Sequence, residues 1–126
     1  MDKQQTVTHN EWHIMELLWE APKTLMELVN ALSEQQGWAK STVTTMVRRM
    51  DNKGLITYET QGRTKIFTPA ITREDAVLRE TDSLLRKAYN GSLGLLISAM
   101  VQHNELSKED IDELYAILKE AEVKEQ

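Results

Sequence analysis

At 126 residues the chain has room for one ordinary domain, or for a small domain with an appendage. Its composition, 40% hydrophobic and 28% charged, is that of a soluble globular protein and excludes a disordered tail. It contains no cysteine, which excludes disulfides, thiolate metal sites and cysteine nucleophiles.

No apolar run approaches the roughly 18 residues of a membrane span, and MDKQQTVTHN lacks the basic and apolar regions of a signal peptide. No membrane association is expected, and a cytoplasmic location is the default. The net charge of −5 is unevenly placed. Residues 71–126 hold seven Lys/Arg against twelve Asp/Glu, whereas residues 40–65 hold six Lys/Arg against two Asp/Glu. Positive charge concentrated on one segment bears on nucleic acid more directly than the acidic total does.

Thr8 and Glu11 form a capping box, in which each side chain satisfies a backbone donor at a helix start. Trp12, Met15, Leu18 and Trp19 follow at helical spacing, and Pro22 closes the segment. Thr24 and Glu27 make a second box, leading into Leu25, Leu28, Val29 and Leu32 and closing near Gly37. A third helix runs from near Lys40 to Gly54, a residue suited to a left-handed cap. The period then changes: LITYET and TKIFTP flank QGR as two strands around a turn, with Pro69 ending the second.

Three helices and a two-stranded hairpin are the order of a winged helix-turn-helix, in a mainly α protein. A boundary near Ala70–Thr72 separates residues 1–70 from an acidic helical region, 71–126. In that region Thr72 caps a helix ending before Asn90-Gly91, SLGLLISAMVQ is unusually apolar, and Ser107 with Asp110 caps a last helix. Ile111, Leu114, Ile117 and Leu118 form its apolar stripe.

The third helix, KSTVTTMVRRMDN, raises a question of propensity. Threonine is a poor helix former, and a surface helix built for stability would carry Glu and Lys. Val43, Met46, Val47 and Met50 share one side, the core face. The other side carries Ser41, Thr45, Arg48 and Asn52, flanked by Thr42, Thr44 and Arg49. Short hydroxyl side chains let a helix approach base edges closely, Arg pairs bidentately with guanine, and a Thr methyl meets a thymine methyl. Ser41, Thr42, Thr44, Thr45 and Arg48 are the expected base or groove contacts. Lys40, Arg49, Lys53, Arg63 and Lys65 are the expected phosphate contacts, the last two placed where a wing meets backbone. A solvated face is the bland alternative, disfavoured by the trihelical context and the basic hairpin.

EWHIMELLWE, residues 11–20, resembles the Glu-Trp-x-x-Met-x-x-x-Trp signature of the penicillinase-repressor family, the BlaI, MecI and CopY type. STVTTMVRRMDNKGLI resembles that family's recognition helix and lead-in to the wing, and NELSKEDIDELYAIL its last helix. The resemblance implies a homodimeric repressor with winged domains on double-stranded operator DNA and C-terminal helices at the dimer interface. The residues support pairing independently: Leu93, Leu95, Leu96, Ile97, Met100 and Val101 are too apolar to stay exposed in so short a region. Leu93, Leu96, Ile97, Met100, Ile111, Leu114 and Leu118 are the expected interface.

The chain departs from the family in two places. Copper-responsive members carry paired Cys-x-Cys motifs, and this chain has no cysteine. Members answering to a β-lactam sensor are cut by a linked protease at an Asn-Phe bond, and the matching positions here are Ala99 and Met100. The inducing signal stays open.

Other constellations carry less. His9 and His13 lie four apart, a two-ligand spacing, but HNEWH is not H-E-x-x-H because Glu11 stands third. No metal or cofactor is expected. No strand-turn-helix elbow or phosphate-binding glycine loop supports an enzyme. Trp12, Trp19 and Trp38 read as core rather than a ligand cage. Two rival functions remain: a winged protein-interaction module without DNA binding, and a metal-dependent hydrolase built on His9, Glu11 and His13.

Overall fold

A computed structural model describes residues 6–125. Helix α1 (His9–Glu20) starts from the Thr8–Glu11 box, with the Thr8 hydroxyl accepting from Glu11 N at 3.2 Å and Glu11 Oε1 accepting from Thr8 N at 3.0 Å. The same reciprocal arrangement at Thr24 and Glu27 starts α2 (Leu25–Gln36). Helix α3 (Lys40–Asn52) follows. The first two start where i, i+3 chemistry places them, and α3 lies where its apolar period does.

The sheet differs from expectation. Three strands form it, not two: β1 (Lys23–Thr24), β2 (Ile56–Gln61) and β3 (Thr64–Pro69), in the order β1-β3-β2 and antiparallel throughout. Lys23 pairs with Phe67 and Thr24 with Ile66. The extra strand arises because the cap residue Thr24 is already extended, with φ −79° and ψ 166°, so the linker between two helices can pair with the hairpin. Two residues offer no alternation for a sequence pattern to reveal. The hairpin turns at Gly62, whose φ of +62° at the first position of a two-residue loop suits glycine.

The winged unit closes on one apolar core. Ile14, Met15 and Leu18 of α1, Leu28 and Leu32 of α2, Val43 and Met50 of α3, and Leu55 and Ile56 ahead of the wing are all almost wholly buried. Truncating one of them to Ala removes transfer energy and leaves a cavity, about 2–5 kcal/mol together. The end of α3 is fixed by a left-handed Gly54, φ +78°, with Leu55 N donating to Met50 O at 3.0 Å and Gly54 N to Asp51 O at 3.1 Å. That reversal delivers Leu55 and Ile56 straight into the core.

Trp12 and Trp19 pack edge-to-face at 5.5 Å against this core. Their indole N–H groups donate to Glu16 Oε2 (2.9 Å) and to the Ile71 carbonyl (3.0 Å). Trp38 packs at the turn before α3, its ring 5.6 Å from that of His13.

The chain divides into two compact units, Met1–Ser83 and Leu84–Gln126. The division falls inside α4 (Arg73–Tyr89). Composition turns acidic near residue 70, but the first unit continues because Ala76 is buried in its core and Arg73 pairs with Glu16 at 3.1 Å. The second unit carries α5 (Leu93–Gln102), capped by Ser92, and α6 (Lys108–Lys124), started by the Ser107–Asp110 box. Neither α5 nor α6 has a buried residue.

Candidate nucleic-acid interface

Helix α3 differs from the other five in how it begins. The side chains of Thr8, Thr24, Thr72, Ser92 and Ser107 cap their helices, but the N-cap of α3 is Ala39, without a side-chain hydrogen bond. Its first turn holds no acid, and Lys40 stands there instead. A cation at a helix N-terminus opposes the macrodipole. The arrangement costs helix stability and leaves an electropositive end.

Val43, Met46, Val47 and Met50 are buried, as the helical period predicts. Ser41, Thr42, Thr45, Arg48 and Arg49 are exposed, and Lys40 with them. Thr44 is half-buried, and its hydroxyl donates to the Lys40 carbonyl at 2.8 Å. Its proton is therefore committed to its own helix, leaving the oxygen lone pair and the methyl for a partner.

The exposed face is a ridge between two grooves. Ser41, Thr42, Thr45 and Arg49 line one, with Thr8, Asn10 and Glu11 at the start of α1 on the far side. Thr44, Arg48 and Asp51 line the other, across from Thr24 and Met26 of the β1–α2 junction and Tyr58, Arg63 and Lys65 of the wing. Arg63 sits exposed at the hairpin turn. The Lys65 ammonium lies 4.4 Å from the centre of the Tyr58 ring, a cation–π contact. Among the described residues, Lys40, Arg48, Arg49 and Arg63 make no ion pair within the chain.

Lys53 is different. Its ammonium lies 2.7 Å from Glu11 Oε1, with the two side chains only 19% and 3% exposed. The residue expected to contact phosphate is thus half-buried and paired within the protein. Glu11 Oε1 accepts from both Thr8 N and Lys53 Nζ, while Oε2 is buried with no hydrogen-bond partner among the described residues.

Tyr58 and the β1–α2 junction were not among the expected contacts. Tyr58 stands directly opposite Phe67 across the hairpin, and their rings are 5.7 Å apart. Strict alternation of LITYET places Tyr58 on the same face as Ile56, which is the signal that locates it.

His9 and His13 meet edge-to-face at 5.6 Å, and His13 Nδ1 lies 3.5 Å from Gln36 Nε2. Among the described residues no three His, Cys, Asp or Glu side chains are grouped to hold a metal ion. No helix among the described residues is long and apolar enough to cross a membrane.

In the second unit Leu93, Ile111 and Leu118 are exposed, and Leu96, Ile97, Met100 and Leu114 are half-buried. Leu95, Val101, Tyr115 and Ile117 add further exposed apolar surface. Ala99 and Met100 are half-buried within α5, their carbonyls accepting from His103 N (3.1 Å) and Glu105 N (2.8 Å).

The family model of the penicillinase repressor matches residues 7–120. The penicillinase repressor of Bacillus licheniformis is 31% identical over 121 residues, covering 95% of this chain and 94% of that protein. The methicillin resistance regulatory protein MecI of Staphylococcus aureus (strain N315) is 22% identical over 118 residues, 93% of this chain and 96% of that one. The solution structure of the DNA-binding domain of the repressor BlaI superposes with a TM-score of 0.53 and 28% identity, over 60% of this chain and 93% of that chain. The Bacillus licheniformis BlaI monomer in complex with the blaP half-operator gives 0.52 and 28%, with the same coverage. Trihelical core, wing, capless α3 and helical C-terminal unit are thus those of a chain that belongs to the penicillinase-repressor family.

Proposed function

We propose that the chain is a homodimeric, sequence-specific DNA-binding transcriptional repressor that occupies a dyad-symmetric operator in the cytoplasm. The observation that carries this reading is the exposed face of α3: short hydroxyls, and arginines that make no ion pair among the described residues, on a helix whose N-terminal turn holds no acid. Family membership and the similarity to a repressor solved on its half-operator support it.

Ser41, Thr42, Thr45 and Arg48 address base edges in the major groove, with Thr44 offering its methyl. Lys40, Arg49, Arg63 and Lys65 address phosphates on either side. The role is binding, not enzymatic. Repression follows from occupancy of promoter DNA.

Dimerisation through the C-terminal unit rests on its burial. With no residue of α5 or α6 buried, and Tyr115 71% and Leu118 58% exposed, the unit lacks a core of its own. Apolar surface of that extent marks an interface, and a second copy covers it symmetrically. A sensor-linked protease acting between Ala99 and Met100 would have to unwind the last turns of α5, since both carbonyls are hydrogen-bonded there.

The test is selection of bound fragments from genomic DNA, followed by Arg48→Ala on the best site. A dyad-symmetric sequence should emerge, and the variant should lose about 1–3 kcal/mol on it with little change on scrambled DNA. If no sequence is enriched, the α3 face meets protein, as in the interaction-module reading.

A further inference from the structure

Glu11 is the one buried charged side chain of the described core, and it lies beside the face assigned to DNA. A carboxylate there repels phosphate and, unpaired, is costly to bury. One oxygen of that carboxylate ties the start of α1 to Lys53, 42 residues beyond Glu11 in the chain. Oε1 accepts from Thr8 N at the start of α1 and from Lys53 Nζ at the end of α3. Lys53 is itself the C-cap of α3, its N–H donating to the Arg49 carbonyl at 3.0 Å. Gly54 and the buried Leu55 and Ile56 come next and lead into β2.

We propose that Lys53 is a positioning residue and not a phosphate contact: paired with Glu11, it pins the end of the recognition helix and the root of the wing to the first turn of α1, and cancels a buried negative charge beneath the DNA-facing surface. With its ammonium so held, it has no charge to offer the backbone unless the pair breaks. Breaking it exposes the DNA to Glu11. The pair works as a unit, while Lys40, Arg49, Arg63 and Lys65 make the phosphate contacts. The inference rests on the DNA-binding reading.

The experiment measures operator affinity against salt for the full-length protein and for Lys53→Met, Lys53→Arg, and Glu11→Gln with Lys53→Met. Gln at position 11 keeps the capping box, and the double variant keeps the net charge of the original pair. Positioning predicts that K53M weakens the operator roughly 2- to 100-fold, the span of couplings between contacting residues, with its salt slope unchanged. The double variant then recovers most of the loss, because no unpaired carboxylate remains, and K53R stays close to the parent.

Phosphate contact predicts the opposite set. K53M would flatten the slope by about one ion per protomer, and the double variant would bind no better than K53M. Either of these overturns the inference, as does a K53M variant of parental affinity. If K53M does not fold, a double variant of near-parental affinity and slope supports positioning, and one that binds weakly with a slope flatter by about one ion per protomer overturns it. Parent protein without a steep salt slope would instead sink the DNA-binding reading, so the two failures are distinguishable.

Discussion

The number of cations left free on the DNA face sets how binding must respond to salt. In the proposed complex Lys40 at the start of α3, Arg49 on its flank, and Arg63 and Lys65 on the wing give four per protomer, with Arg48 assigned to bases and Lys53 held by Glu11. Four neutralised phosphates give a slope of log K against log salt of about −3.6 on a half-site, and about −7 on a dyad bound by a dimer. Between about 50 and about 200 mM salt, affinity should fall about a hundredfold on the half-site and about ten-thousandfold on the dyad.

Removing both wing cations, Arg63→Ala with Lys65→Ala, should halve each slope while leaving sequence preference intact. Fluorescence anisotropy of labelled half-site and full-site duplexes measures all four quantities. A dyad slope no steeper than the half-site slope would refute paired binding. A half-site slope flatter than about −2 would refute the cation assignment itself.

Other expectations test the parts separately. Leu118→Glu, on a side chain 58% exposed in the isolated chain, should yield monomers by sedimentation that still bind a half-site; a persisting dimer would move the interface elsewhere. Gly54→Ala meets no neighbouring atom but must adopt a φ of +78°, so it should cost about 1 kcal/mol and lower Tm by about 5 °C, with no loss if the helix end is free to rearrange. The hydrogen bond from Arg73 holds the Glu16 carboxyl below its ordinary value of 4.5, against the opposing effect of burial, with Trp12 adding a second hydrogen bond. The sign follows: the ionised pair contributes fully above pH 4.5 and loses its contribution as pH falls through the lowered value. Wild-type Tm should therefore exceed that of Glu16→Gln near neutrality and converge with it in acid, and parallel curves would discount the pair.

Local chemistry was legible in the sequence and long-range pairing was not. Thr8–Glu11, Thr24–Glu27 and Ser107–Asp110 are separated by one helical turn, so residue type and spacing alone locate those helix starts. The burial of Val43, Met46, Val47 and Met50 follows from period in the same way. β1 escaped because a two-residue strand has no period, and its partner Phe67 lies more than forty residues on. The Lys53–Glu11 pair escaped for a related reason: a lysine among basic neighbours reads as surface until the fold brings a buried carboxylate to it. Thr44 shows the finer limit. Helical spacing placed it on the flank of the exposed face, yet whether its hydroxyl turned outward or back to Lys40 O was a rotamer choice.

The distribution of aromatic residues gives the two units different optical voices. Trp12, Trp19 and Trp38, all the tryptophans of the chain, lie in the unit Met1–Ser83, each against its core. The unit Leu84–Gln126 holds only Tyr89 and Tyr115. Emission excited selectively at tryptophan therefore reports the winged unit alone, whereas far-ultraviolet dichroism is weighted by every helix. Denaturation curves followed by the two signals will superimpose only if the units melt together. On the proposed pairing, dilution should pull the dichroism curve to lower denaturant ahead of the emission curve, because a unit completed by its twin loses support as the twin becomes scarce.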